Sequence, residues 1–265
     1  MSLLSWQPLV LEPVSHGAVA GVIHVPPAPH AADLALLTGE ERARAARFAF
    51  IRDQAAFVTT RAAIRRALGR ALSCPPESVE ILAGTTGRPV LSPSHGSALD
   101  FNVSHSGSLA LIALSPDRLV GADIECHAPD RGLRELVPQV MGEGERALLD
   151  AQESDAAFCH EFYACWTRKE ALVKGLGVGI SADLTSFDVP RVPVDGVVTV
   201  PSEVHPLWRI VTVEPAPGFT ASVAVADAHS VIAFAPLADV IFWRGEAVPA
   251  HILTGSWMSS AQGIT

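Results

Sequence analysis

The stretch from Phe158 to Gly179, FCHEFYACWTRKEALVKGLGVG, constrains the fold more than any other part of the chain. Stepping by four from Trp166 reaches Glu170 and then Lys174, so a helix here carries an indole, a carboxylate and an ammonium on one stripe. Phe158, Phe162, Cys165, Leu172 and Leu176 fall on the opposite register, mostly apolar, and predict a core-facing side. Lys169 and Lys174 are the only lysines in a chain that otherwise takes its positive charge from arginine. An ammonium meets phosphate as a compact, mobile point charge, where a guanidinium is a planar fork. Gly175, Gly177 and Gly179 supply the positive φ of a helix end and let backbone approach a ligand.

At 265 residues the chain is long enough for one large domain or two compact lobes. Its formal net charge of -9 argues against nucleic-acid binding through a general basic surface. Arg42, Arg44, Arg47, Arg52, Arg61, Arg65, Arg66 and Arg70 nevertheless crowd one region, a pattern that suits a solvated helix face with a few arginines left for a phosphorylated small molecule. Cys74, Cys126, Cys159 and Cys165 have neither zinc-site nor disulfide spacing. The N-terminal MSLLSWQPLV lacks a signal peptide's positive region, and no apolar run is long enough for a membrane helix, so a cytoplasmic protein is expected.

In chain order, Val19 to Val25 predicts a strand, and a helical pattern starts at Thr38, with Phe57, Ile64, Leu68 and Leu72 on one face. Cys74-Pro75-Pro76 ends it, Val79 to Leu82 reads as a short strand, and Gly84 to Pro89 is a loop holding Arg88. In LDFNVSHSGSLALIALS, Phe101 and Val103 alternate as a strand, Ser104 to Ser108 reads as a tight polar turn and Leu109 to Leu114 as a second strand. SPDR at 115–118 reads as a hairpin turn into LVGADIE. A short helix is expected over 145–149, and strands at Phe187–Val189, Val197–Val200, Trp208–Val213 and Phe219–Val225, before a loose Ser/Gly-rich end.

In LVGADIE, Val120, Ala122 and Ile124 share one face, leaving Asp123 and Glu125 side by side on the other, roughly 6 to 7 Å apart at the backbone. The spacing alone suits a solvent-exposed edge strand; it also suits a hard cation held by oxygens, since two like charges repel unless something positive lies between them. With Glu170 and Lys174 one turn apart, an Asn-Val-Ser-His segment and arginines upstream, the set suits a magnesium ion on a diphosphate, where metal and lysine neutralise the leaving group.

Taken in this order, FNVSHSG, GADIE and WTRKEALVKGLGVGI resemble the Sfp-type 4'-phosphopantetheinyl transferases, which move the phosphopantetheine arm of coenzyme A onto a serine of an acyl or peptidyl carrier protein. FAFIRDQAAFVTTRAAIR, GRPV and PGFTASVAVA sit where that family has similar segments, so the resemblance covers roughly residues 40 to 226. It implies an α+β fold of two similar lobes in a pseudo-twofold arrangement with the site between them: an N-terminal lobe over 1–115, a C-terminal lobe over 116–230 and an extension over 231–265. It also implies Asp123, Glu125 and Glu170 as ligands of Mg²⁺, or Mn²⁺, with Lys174 on the diphosphate. Ser104, His105, Arg88 and Arg44 would hold the 3'-phosphate region of coenzyme A, and either Glu170 or Glu145 would be the base. The family often has lysine where this chain has Arg44 and Arg88, which keeps the charge and changes the donor geometry. The expected activity is holo-acyl-carrier-protein synthesis by a monomer whose partners are coenzyme A and an apo carrier, with neither nucleic acid nor membrane involved. A Mg²⁺-dependent phosphohydrolase and an inactive coenzyme A- or carrier-binding module are the alternatives.

Overall fold

The computed structural model describes residues 17–84, 86–128, 132–178, 183–189, 195–199 and 205–234; Gly179 and the Ser/Gly-rich end lie outside them. The first lobe runs β1 (Gly17–His24), α1 (Ala31–Leu34), α2 (Gly39–Ala45), α3 (Ile51–Ala71), β2 (Ile81–Ala83), β3 (Pro89–Leu91), β4 (Asp100–Ser106) and β5 (Leu109–Ser115). The second runs β6 (Val120–Cys126), α4 (Leu133–Val140), α5 (Glu143–Asp150), α6 (Asp155–Leu176), β7 (Asp195–Thr199), β8 (Leu207–Val213) and β9 (Phe219–Val225). A last strand, β10 (Val231–Phe234), returns to the first lobe and pairs in parallel with β1. The result is an α+β fold of two four-stranded sheets, β10-β1-β5-β4 and β6-β9-β8-β7, each carrying one long helix.

Thr38 starts α2 as expected from its spacing to the glutamates: its Oγ1 accepts from the Glu41 amide at 3.1 Å while Glu41 Oε2 accepts from the Thr38 amide at 2.9 Å. The helical pattern is nevertheless two helices, not one. Gln54 Nε2 donates to the Ala45 carbonyl at 3.1 Å, so a side chain of α3 serves the open end of α2. Ala63, Ile64, Ala67 and Leu68 then pack α3 against Val19, Phe101, Ile112 and Leu114 of the sheet.

The arginine region is a solvated face only in part: Arg42, Arg44, Arg47 and Arg52 are exposed, and others are drawn into the fold. Arg65 is fully buried between Glu41, at 2.9 Å, and the Val79 carbonyl; Arg66 pairs with Asp33 at 2.7 Å, and Arg42 reaches the Leu37 carbonyl. These guanidiniums tie α1, α2 and the β2 approach onto α3, so several donors of one fork are used at once.

Two turns differ from expectation. β4 continues through Ser104, His105 and Ser106, and the turn is the pair Gly107-Ser108, with Gly107 at φ 56°. SPDR does not make a hairpin, because β5 and β6 belong to different sheets and the segment carries the chain between lobes. Phe187–Val189 is a loop rather than a strand, since its polar backbone atoms bond to side chains of α5 and α6.

In the second lobe, Ser154 Oγ accepts from the Ala157 amide at 3.2 Å to start α6, and Gly177, at φ 70°, ends it. Phe162, Cys165 and Leu172 pack on Trp208, Ile210 and Ala224. The faces not covered by helices meet each other: Ala18, Leu111 and Ala113 of one sheet share a core with Ala122, Ile124 and Val223 of the other. β4 and β6 are therefore edge strands facing one another across the seam between lobes. All four cysteines are free thiols, and among the described residues no helix is long and apolar enough to cross a membrane.

Candidate functional site

The site grows from how closely α6 can lie on β6. Val120, Ala122 and Ile124 are buried between the sheets, which turns Gly121, Asp123 and Glu125 toward the helix. A Cβ on Gly121 would lie 1.8 Å from the Ala171 carbonyl oxygen and 2.5 Å from the Gly175 amide nitrogen. Glycine therefore lets strand and helix backbones touch, and the half-buried stripe Trp166, Glu170 and Lys174 comes down beside the two acids.

Lys174 Nζ lies 2.5 Å from Asp123 Oδ1 and 3.1 Å from Ser104 Oγ, and Ser104 Oγ donates to the same carboxylate oxygen at 2.8 Å. One oxygen of a 2% exposed aspartate thus joins β4, β6 and α6. Glu125 accepts from Ser106 Oγ at 2.8 Å and is bonded by the Trp166 indole. Burial and then the Asp123 charge push the Glu125 carboxyl above its ordinary range, against the hydrogen bonds and Lys174. Glu170 is also pushed up, first by burial, with Asp123 and Glu125 adding to the shift and Lys174 opposing it. Two carboxyls raised by burial and by the Asp123 charge, gathered around a single ammonium, form a place where added positive charge is stabilising.

Asp123 Oδ2 supports a cation directly: it is buried and has no hydrogen-bond partner. Among the described residues no three carboxylate, imidazole or thiol groups stand together as a complete metal cage. The donor set instead fits a hard cation that takes one or two carboxylates and completes its shell with water and substrate phosphate. Beside the acids opens a cavity of about 510 Å³, whose wall includes Glu170 and Lys174, the apolar Val103, Val140, Val173 and Leu184, and Trp166. The indole stacks on Phe162 at 6.3 Å and also lines this space.

The other expected residues are placed differently. His105, on the exposed side of β4, is held below its ordinary pKa by desolvation of its ring and by Lys174, with Asp53 opposing. Arg44 is exposed on α2 with its guanidinium 5.1 Å from the centre of the Phe57 ring. Arg88 borders the cavity, but its guanidinium is committed to Asp100 at 2.7 Å and to the carbonyls of Phe101, Val120 and Gly175. That bonding makes it a tie between lobes in this structure rather than an open phosphate donor.

Glu145 is not brought to the acid group. It is 2% exposed, its Oε2 accepts from the Gly142 amide at 2.8 Å and meets Lys169 Nζ at 2.7 Å, and its Oε1 accepts from the Val189 amide at 2.9 Å. A carboxylate buried to this degree and paired with a buried ammonium is shielded from a substrate rather than presented to one. The same contacts give Lys169 a purpose that its sequence position did not reveal: it is fully buried and also donates to the Leu184 and Phe187 carbonyls, each at 2.5 Å. Sequence reading passed over Asp100 and gave Asn102 and Ser106 no role of their own, although the polar alternation in DFNVSHS was the signal for them.

A family model described as 4'-phosphopantetheinyl transferase, N-terminal, matches residues 27–117, and another described as the 4'-phosphopantetheinyl transferase superfamily matches residues 119–209. The chain is 33% identical over 199 residues to the 4'-phosphopantetheinyl transferase HetI of Nostoc, covering 72% of this chain and 79% of that one. It is 40% identical over 121 residues to the 4'-phosphopantetheinyl transferase AcpT of Salmonella typhi, 46% of this chain and 59% of the relative. A third relative, the L-aminoadipate-semialdehyde dehydrogenase-phosphopantetheinyl transferase of Xenopus laevis, is 31% identical over 163 residues, 58% of this chain and 54% of its own.

Proposed function

Because the chain belongs to the 4'-phosphopantetheinyl transferase superfamily, we propose that it transfers the 4'-phosphopantetheine arm of coenzyme A to a serine of an apo acyl or peptidyl carrier protein, releasing 3',5'-ADP. The observation that carries this reading is the convergence of Lys174, Asp123 and Ser104 on one point beside a cavity. On this reading the lobes divide near residue 115, and the three segments that meet there come from both of them.

Asp123, Glu125 and Glu170 would hold Mg²⁺, or Mn²⁺. When bound, the ion supplies charge neutralisation on the diphosphate of coenzyme A. Lys174 binds the same diphosphate as a point charge, exchanging its contact with Asp123 for phosphate oxygens. Ser104 orients Asp123, while His105 and Arg44 face the 3'-phosphate end. The pantetheine arm enters the cavity along Val103, Val173 and Trp166, which exclude water from it.

In the transfer, the carrier serine oxygen forms a bond to the β-phosphorus as the bond from that phosphorus to the bridging oxygen breaks, and the electron pair leaves on 3',5'-ADP. Glu170 takes the serine proton. Glu170 lines the cavity, whereas Glu145 is buried and bound by Lys169, Gly142 and Val189, which makes Glu170 the glutamate nearer to an incoming serine.

The test is incubation with coenzyme A, Mg²⁺ and several apo carriers, followed by intact-protein mass spectrometry. A phosphopantetheine adduct on the carrier serine is expected. Hydrolysis of coenzyme A without an adduct would point to a phosphohydrolase instead, and neither product would remove the transferase reading.

A further inference from the structure

β4 and β6 are the facing edges of two sheets, and edges normally leave backbone amides unpaired. Here side chains take the place of a backbone ladder. Asp100 Oδ2 accepts from the Val120 amide at 2.8 Å, Asn102 Oδ1 from the Ala122 amide at 3.3 Å, and Ser106 Oγ from the Cys126 amide at 3.0 Å. Ser104 Oγ, next in the same alternation, donates to Asp123. Four polar residues two apart on one face of β4 thus bond to five residues of β6 and step along it in register.

Ser106 does more than satisfy an amide. A hydroxyl has one proton and two lone pairs. Its oxygen accepts from Cys126 N, which fixes where the group sits, and its proton goes to Glu125 Oε2 at 2.8 Å. The carboxylate that must face a like charge on Asp123 is therefore aimed from the opposite lobe. We infer that Ser106 is a positioning residue: through the β4–β6 side-chain ladder it orients the Glu125 carboxylate for a divalent cation and makes cation binding depend on the register of the two lobes. The inference rests on the metal reading of Asp123 and Glu125 given above. Groups that orient a ligating carboxylate commonly carry 10- to 100-fold of the metal affinity.

The test uses the full chain and Mn²⁺ as the probe, with binding read from the loss of the free-ion electron paramagnetic resonance signal in the presence of coenzyme A, beside thermal unfolding. Asp123→Ala reports on the metal reading itself. Ser106→Ala removes the aim and Ser106→Thr keeps the hydroxyl. The expected result is loss of Mn²⁺ binding in Asp123→Ala, affinity weakened by roughly 10-fold or more in Ser106→Ala, and recovery in Ser106→Thr. A purely structural Ser106 would lower the melting temperature but leave the affinity of the folded protein unchanged. That outcome, with Asp123→Ala still defective, overturns the positioning role and spares the metal reading. Wild-type binding by Asp123→Ala overturns both. If Ser106→Ala does not fold, Ser106→Cys, which keeps the volume but donates only weakly, is measured in its place, and unaltered affinity there overturns the inference equally.

Discussion

Substituting Gly121 by alanine adds one methyl group at the place where α6 meets β6. The new Cβ would stand 1.8 Å from the Ala171 oxygen, 2.5 Å from the Gly175 nitrogen and 2.9 Å from the Ala171 carbonyl carbon. All three are backbone atoms of one helix, so no side-chain rotation relieves the clash. Ordinary contact begins above about 3 Å, so the helix must retreat from the strand by more than about 1 Å, carrying Glu170 and Lys174 with it. Overpacking of this kind costs roughly 1–3 kcal/mol or somewhat more. At about 2–4 °C per kcal/mol for a chain of this size, the melting temperature is expected to fall by roughly 5–10 °C. Displacement of reacting groups by about 1 Å costs on the order of 100-fold in rate, so kcat should fall more than stability alone explains. Gly39→Ala is the control: an added Cβ there meets nothing within 4 Å, and it sits in a helix that favours alanine. The assays are differential scanning fluorimetry and phosphopantetheine transfer at a temperature where both variants are folded. A Gly121→Ala protein with wild-type melting temperature and wild-type kcat would refute the claim that backbone contact between β6 and α6 sets the site.

Further predictions follow from the same contacts. Glu145→Gln breaks a buried ion pair with Lys169, so stability should drop by about 3–5 kcal/mol in chemical denaturation, while kcat of the folded fraction stays within a few-fold of wild type; loss of turnover with intact stability would make Glu145 the base after all. Lys174→Arg keeps the charge but replaces a compact ammonium beside Asp123 with a wider planar fork, and transfer should fall on the order of 100-fold without recovery at high Mg²⁺; an active arginine variant would show that charge alone suffices. His105 has its folded pKa depressed, so its contribution to stability is present above an unfolded pKa of about 6.5 and is lost as pH falls through the folded value. Melting curves of His105→Asn should therefore decline less steeply than wild type between pH 7 and pH 5, and parallel curves would contradict the lowered pKa of that imidazole.

Much of the architecture was legible in local pattern. The 3.6-residue period around Trp166, Glu170 and Lys174 marked α6, the alternation in LVGADIE marked β6, and Thr38 with Glu41 marked a helix start. These signals are readable because helix and strand periodicity are properties of consecutive residues. Other expectations failed where distant segments decide. Phe187–Val189 has the apolar residues of a strand, yet its backbone partners are Lys169 and Glu145, both remote in sequence. SPDR has turn chemistry, but whether a turn makes a hairpin depends on which sheet receives the next strand. Arginines between apolar helix positions read as solvated because nothing local announces Glu41, Asp33 or the Val79 carbonyl.

The candidate site divides in the same way. Sequence alone determined its chemical inventory: acids on one strand, an acid and a lysine one turn apart on a helix, and a serine-rich strand upstream. Only the tertiary structure decided which carboxylates share a field. Asp123 meets Lys174 and Ser104 because Gly121 lets two backbones touch, while Glu145, equally acidic in sequence, is turned inward and neutralised by Lys169. Residue type sets what a group can do, but charges interact through distance and burial, and both arise from contacts between segments far apart in the chain.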